Sequence, residues 1–187
     1  MVRKYSKISD YIKEDIAEIP GLSYFPNFIQ KKPSETLLKV LYNLDYKIVN
    51  KKPTKYFGVD YTHSKKTHNK VIQELPHYFN LLNPVGLNFD QIEIKYYKGS
   101  EGHSPICETN LFSNNIVIVS LNSHYMLNFH KEDKVHSMLI EPNSLLSISG
   151  EARKMKRSIP YRIKDRYCNT IFERKDFFIF TFRNINQ

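Results

Sequence analysis

The chain has 187 residues, of which 41% are hydrophobic and 13% aromatic, with no Trp and six Gly. That composition excludes a disordered or low-complexity polymer and suits one folded domain with little room for a second. Lys and Arg number 28 against 19 Asp and Glu, a formal net charge of +9, which favours polyanionic partners, RNA, DNA or a ribonucleoprotein such as a ribosome foremost.

In chain order, Ser9-Asp10 precedes a short helical pattern over residues 11–19, with Ile12, Ile16 and Ile19 apolar and a stop at Pro20. Residues 1–19 are read as an amino-terminal arm able to dock a protein partner. Residues 22–25 read as a strand, and Ser34 is placed to cap a helix carrying Leu37, Leu38, Val40, Leu41 and Leu44. Residues 51–70 are Lys-rich and contain an aromatic strand over 56–61, after which a helix is expected to lead towards 76–82. From Phe89 onward strands are expected over 91–97, 115–121, 125–130, 137–140, 144–149, 167–172 and 177–182, separated by turn signals such as Lys98-Gly99-Ser100 and Pro142-Asn143. Many short strands after a helical first third predict an α+β fold over residues 20–187: a double-stranded β-helix, or jelly-roll barrel, with flanking amino-terminal helices.

Cys107 and Cys168 are too few for a disulfide framework and lack CxxC zinc spacing. No apolar run reaches the ~18 residues that a membrane span needs, and the amino-terminal stretch has no apolar core before a small-residue cleavage site. The expectation is an intracellular, cytoplasmic protein without a membrane, the nucleus and mitochondrion left open. Basic and aromatic residues interleave at Lys51, Lys52, Lys55, Tyr56, Lys65, Lys66 and Lys70, a mixture that can pair phosphates and stack bases. Two plainer readings stand beside it: aromatic residues on strands commonly belong to the core, and an AT-rich coding sequence enriches Lys on any solvated surface.

Several segments, taken in order, carry a family resemblance. They are Pro20-Gly21-Leu22-Ser23-Tyr24-Phe25-Pro26-Asn27-Phe28, Lys55-Tyr56-Phe57-Gly58-Val59-Asp60-Tyr61, residues 89–97 ending in Lys95-Tyr96-Tyr97, residues 144–153, Ser158-Ile159-Pro160 and Phe180-Thr181-Phe182-Arg183. Together they resemble the AlkB-type dioxygenases, which use Fe(II) and 2-oxoglutarate, in the form of the eukaryotic homologues. The resemblance implies two His and one carboxylate on the metal. At the matching positions this chain has Ile106 for the first His, Glu108 for the carboxylate and, with a one-residue shortening, Arg157 for the distal His; without the shortening Ser158 stands there. Ile has no lone pair to donate, and a guanidinium is permanently cationic.

The Arg that pairs with the cosubstrate's distal carboxylate is matched by Phe177, and the Asn of an Asn-X-Tyr motif by Lys95, while Tyr97 and Arg183 are kept. The resemblance therefore implies a degenerate site with no catalytic residue, no metal and no cofactor, in which Ile106, Phe177 and Arg157 fill the vacated space. The basic run Arg153, Lys154, Lys156 and Arg157, beside that site, joins the nucleic-acid-binding candidates. An alternative keeps Fe(II), 2-oxoglutarate and a demethylase or hydroxylase activity on nonstandard ligands, Glu108 with His103; a third reading is a protein-interaction subunit of a larger assembly. His130-Lys131-Glu132 has a ligand-like spacing but falls where a solvated hairpin turn is expected.

Overall fold

The strand Phe177–Ile185 shows how this chain builds two cores at once. Phe178, Phe180 and Phe182 pack on one face with Ile92, Ile94, Val117, Val119, Leu37 and Leu41. Phe177 and Ile179 pack on the other with Tyr97, Ile116, Ile118, Tyr125 and Leu127. The period-2 alternation of side chains on a strand does this, and it makes a nearly continuous apolar run the natural sequence for a central strand buried on both faces.

The structure, a computed structural model, describes residues 19–59, 71–74, 76, 79 and 89–186. Its elements are β1 (Leu22–Phe25), α1 (Lys31–Leu41), β2 (Lys47–Val49), β3 (Lys52–Val59), β4 (Val71–Gln73), β5 (Gln91–Tyr97), β6 (His103–Ile106), β7 (Phe112–Leu121), β8 (Tyr125–Lys131), β9 (Lys134–Ile140), β10 (Ser144–Ile148), α2 (Gly150–Lys154), β11 (Lys156–Ile159), β12 (Lys164–Tyr167), β13 (Thr170–Glu173) and β14 (Phe177–Ile185). Among these, one sheet runs β1-β10-β7-β14-β5-β3-β2 with β4 beside β3, a second runs β6-β11-β8-β9, and β12 pairs with β13. Every pairing is antiparallel. The larger sheet has α1 on one face and the smaller sheet on the other, so the fold is a double-stranded β-helix as the strand pattern predicts.

Four local expectations are corrected. Ser34 does not cap the helix: α1 begins at Lys31 behind an extended Gln30, with Pro33 in its first turn, where a missing N–H is harmless. The Ser34 hydroxyl instead donates to Asn143 Oδ1 at 2.6 Å and so docks the helix on the β9–β10 turn. The single strand expected over 167–172 is a hairpin, because Cys168 and Asn169 both adopt positive φ, 45° and 64°, and reverse the chain between β12 and β13. His130 lies within β8, not in the turn that follows it, and its Nε2 is 2.7 Å from Ser158 Oγ. β6 and β11 were not expected as strands at all.

The arm over 1–18, Lys65, Lys66, Lys70 and most of the helix expected before residue 82 lie outside the described residues. No helix among the described residues is long and apolar enough to cross a membrane.

Candidate functional site

Between the two sheets lies a cavity of about 300 Å³. Its position follows from strand alternation: on β5 the apolar Ile92 and Ile94 face α1, which turns Glu93, Lys95 and Tyr97 inward. On β14 the same alternation turns Ile179, Thr181 and Arg183 inward. The β5–β14 register, with Arg183 opposite Gln91 and Phe177 opposite Tyr97, brings the Arg183 guanidinium over Glu93. From the other side β11 contributes Arg157 and Ile159, β8 contributes Tyr125 and Leu127, and β6 with the loop after it contributes His103, Ile106 and Glu108.

The inward charges form one chain of ion pairs. Lys95 Nζ is 2.9 Å from Glu93 Oε1, and Glu93 Oε2 is 2.7 Å from Arg183 Nη2. The same Arg183 nitrogen is 2.7 Å from Glu108 Oε1, and Glu108 Oε2 is 3.0 Å from Arg157 Nη2. Gln91 accepts from Arg183 Nη1 at 3.1 Å, Tyr56 donates to Glu93 Oε1 at 2.9 Å, and the guanidinium of Arg183 lies over the Phe112 ring. Burial alone would raise the Glu93 carboxyl, but Arg183 and Lys95 outweigh it and hold the group down at about 2. Burial likewise works against the Arg183 cation, and the two carboxylates more than restore it. Arg157 is different: burial, with Arg183 and Arg153 nearby, lowers it in spite of Glu108. His103 is lowered first by burial and then by Lys95, Arg157 and Lys52.

Beneath the ion pairs is an aromatic stack. Phe177 lies between Tyr97, at 4.9 Å with the rings 4° from parallel, and Tyr125, at 4.7 Å and 15°. The Tyr125 hydroxyl is 2.8 Å from Ser120 Oγ. The loop that carries Glu108 is fixed from α2, where Arg153 donates to the carbonyls of Glu108, Thr109, Phe112 and Ser113.

Ile106, Glu108, Arg157, Lys95, Tyr97 and Arg183, which the sequence assigns to one degenerate site, all line this cavity, and Phe177 stacks on Tyr97 at its base. Register places Arg157 directly opposite Ile106. Ile106 is not the plug expected of it, because at 51% exposure its side chain stays at the rim. Arg153 and Arg157 are withdrawn from the nucleic-acid candidates, since both are buried and their donors face inward. Tyr56 is half-buried with its hydroxyl on Glu93, so it serves the network first. Lys51, Lys154 and Lys156 are exposed, and Lys52 and Lys55 half-buried. Sequence reasoning missed Glu93, although a Glu and a Lys at alternate positions among Ile92 and Ile94 mark a strand face unlike the core face beside it.

The jelly roll has the fold of solved 2-oxoglutarate- and Fe(II)-dependent oxygenases. Solved structures with this shape include OsALKBH1, with a TM-score of 0.62 at 12% identity over 88% of this chain and 98% of that one. A 2OG-Fe(II) oxygenase family oxidoreductase from Burkholderia pseudomallei gives 0.62 at 10% identity over 98% and 93%. A prolyl-4-hydroxylase from Pseudomonas putida gives 0.57 at 9% over 97% and 100%. No protein-family profile and no curated protein sequence matches the chain.

These likenesses correct one expectation. The expectation that the chain takes no cofactor is overturned by them, because Fe(II) and 2-oxoglutarate are the cofactors that this fold suggests. The side chains at the expected ligand positions do not fit iron, however. Ile106 offers no donor, Arg157 is a cation, and both oxygens of Glu108 bridge guanidinium groups. Among the described residues no cluster of three or more His, Cys, Asp and Glu side chains could hold a metal. His103, the other ligand considered for an active site, has its Nδ1 2.9 Å from the carbonyl of Ser104.

Proposed function

We propose that this chain is an AlkB-like protein that acts by binding RNA or a ribonucleoprotein, in a structural or regulatory role, and does not oxidise its partner. The observation that carries the reading is the ion pair between Arg157 and Glu108, with Arg183 on the second oxygen of the same carboxylate. A guanidinium stands where the resemblance expects an imidazole ligand, and it satisfies the carboxylate that would otherwise face a metal.

The binding half rests on the cavity mouth. Lys52 Nζ lies 5.2 Å from the Tyr97 ring centroid and 6.0 Å from that of Tyr161, and Tyr161 is 65% exposed. Beside them, Asn50 and Lys51 form the tip of the β2–β3 hairpin, both at positive φ, and Asn50 reaches the cavity. The exposed Tyr161 and Lys51, with the half-buried Lys52 between them and the cavity, suit a single strand through stacking and phosphate contact, and the net charge of +9 acts in the same sense over longer range.

The test combines two measurements on the full chain. Fluorescence anisotropy with a labelled single-stranded RNA should show affinity falling steeply with added salt, and Lys51→Glu, Lys52→Glu or Tyr161→Ala should weaken it. In parallel, methylated RNA incubated with Fe(II), oxygen and 2-oxoglutarate should yield no succinate above a protein-free control. Succinate formed in step with demethylation, or RNA affinity indifferent to salt, sinks the reading.

A further inference from the structure

The cavity holds more cation than anion. Lys95, Arg157 and Arg183 face it against Glu93 and Glu108, three positive groups to two negative, a surplus of one. At the mouth, Lys52 is matched by Glu101 at 3.2 Å and leaves the sum unchanged. The surplus is not evenly shared. Arg183 reaches both carboxylates and Lys95 reaches one, whereas Arg157 has a single ion pair through Nη2. Its other terminal nitrogen, Nη1, has no hydrogen-bond partner among the described residues, and Arg157 is only 6% exposed. An unpaired donor and an unbalanced charge held away from water both cost free energy. One small anion removes both.

The rest of the wall says what kind of anion. Ile118, Leu127, Ile159 and Ile179 line the same cavity with apolar surface beside the charges, and the volume of about 300 Å³ accepts a molecule of modest size. We propose that the cavity binds a small organic monocarboxylate, with its carboxylate on Arg157 in the field of Lys95 and its apolar body against Leu127, Ile159 and Ile179. A dianionic phosphate overshoots the single surplus charge and presents oxygens that the apolar wall cannot satisfy. The arrangement also differs from the cosubstrate site that the resemblance implies: there a dicarboxylate is anchored by an Arg at the place of Phe177, whereas here the anion rests on the residue at a metal-ligand position. Arg157 is lowered chiefly by burial, with Arg183 and Arg153 acting in the same sense against Glu108, and a bound anion would oppose all three.

The proposal stands apart from RNA binding, and the two are separable by experiment. Isothermal titration of the full chain with benzoate and with hexanoate should show one site without added metal, and inorganic phosphate should bind about tenfold more weakly or not at all. Lys95→Met leaves Glu93 on Arg183, so the variant should keep its fold by circular dichroism and lose about tenfold in carboxylate affinity. Arg157→Gln should lose at least as much. RNA affinity measured in the same variants reports on the other reading. The proposal is overturned if neither carboxylate binds, if phosphate binds as well as they do, if folded Lys95→Met and Arg157→Gln bind unchanged, or if 2-oxoglutarate with Mn(II) is the one combination that binds.

Discussion

Arg183 is the residue on which both carboxylates of the cavity converge, through one nitrogen 2.7 Å from each. Glu93 and Arg183 are both more than nine-tenths buried, so neither charge has water to fall back on. Such a pair contributes little relative to well-packed apolar groups, but removing one partner is expensive because the other remains buried and charged. Arg183→Met is therefore expected to destabilise the fold by about 3–5 kcal/mol, read from urea denaturation. Glu93→Gln in the Arg183→Met background should recover part of that loss, as the double variant no longer buries that carboxylate. Additive losses instead would show that the two residues are not coupled.

At the scale of elements, a second buried ion cluster ties the β12–β13 hairpin to the barrel. Asp165 is fully buried; it accepts from Arg162 Nε at 2.7 Å, Arg174 Nη2 at 2.8 Å and the Met126 backbone N–H at 3.2 Å, while Arg174 Nη1 donates to the Pro160 carbonyl. Asp165→Asn leaves Arg174 buried without its counter-charge and should cost on the order of 3 kcal/mol, with the loss visible in a lowered denaturation midpoint. Gly102 precedes β6, and a Cβ there would lie 2.0 Å from the Ile159 carbonyl oxygen of β11. Gly102→Ala is thus expected to push β6 off β11 and cost roughly 2 kcal/mol; unchanged thermal stability would mean that the β6 edge has slack. The same elements show what was legible beforehand. Residues 91–97 and 144–148 announce themselves by apolar content between turn signals. β6 does not, because it is an exposed edge strand containing Pro105, a residue tolerated there for want of a neighbour on one side. The hairpin turn at Cys168-Asn169 carries no Gly to mark it. At the site, the positions that the resemblance names line one cavity or its base, but the Glu93–Arg183 pair joins residues 90 apart in sequence and exists through strand register alone.

For the whole molecule these buried charges set the pH range in which the fold holds. Glu93 titrates at about 2 when folded against an ordinary 4.5, so its contribution is fully present above about 4.5 and is lost as the pH falls towards 2. Asp165, where burial is outweighed by its bonds to Arg174 and Arg162, is lowered too and adds in the same direction. His103 is lowered from 6.5, so the unfolded chain takes up its proton first and stability starts to decline gently below that point. At the alkaline end, burial raises the hydroxyls of Tyr97, Tyr125 and Tyr24 above the ordinary 10. Unfolding exposes and ionises them, and stability is lost as the pH rises beyond 10. The urea midpoint measured across pH should therefore be broad and flat between about 6.5 and 10, with a shallow acid shoulder and then a steep fall below about 4.5. Glu93→Gln removes one of the groups responsible for that fall, so its midpoint should start lower but decline less steeply in acid. A variant whose acid limb runs parallel to that of the parent would show that Glu93 is not held by Arg183 and Lys95 as the geometry requires.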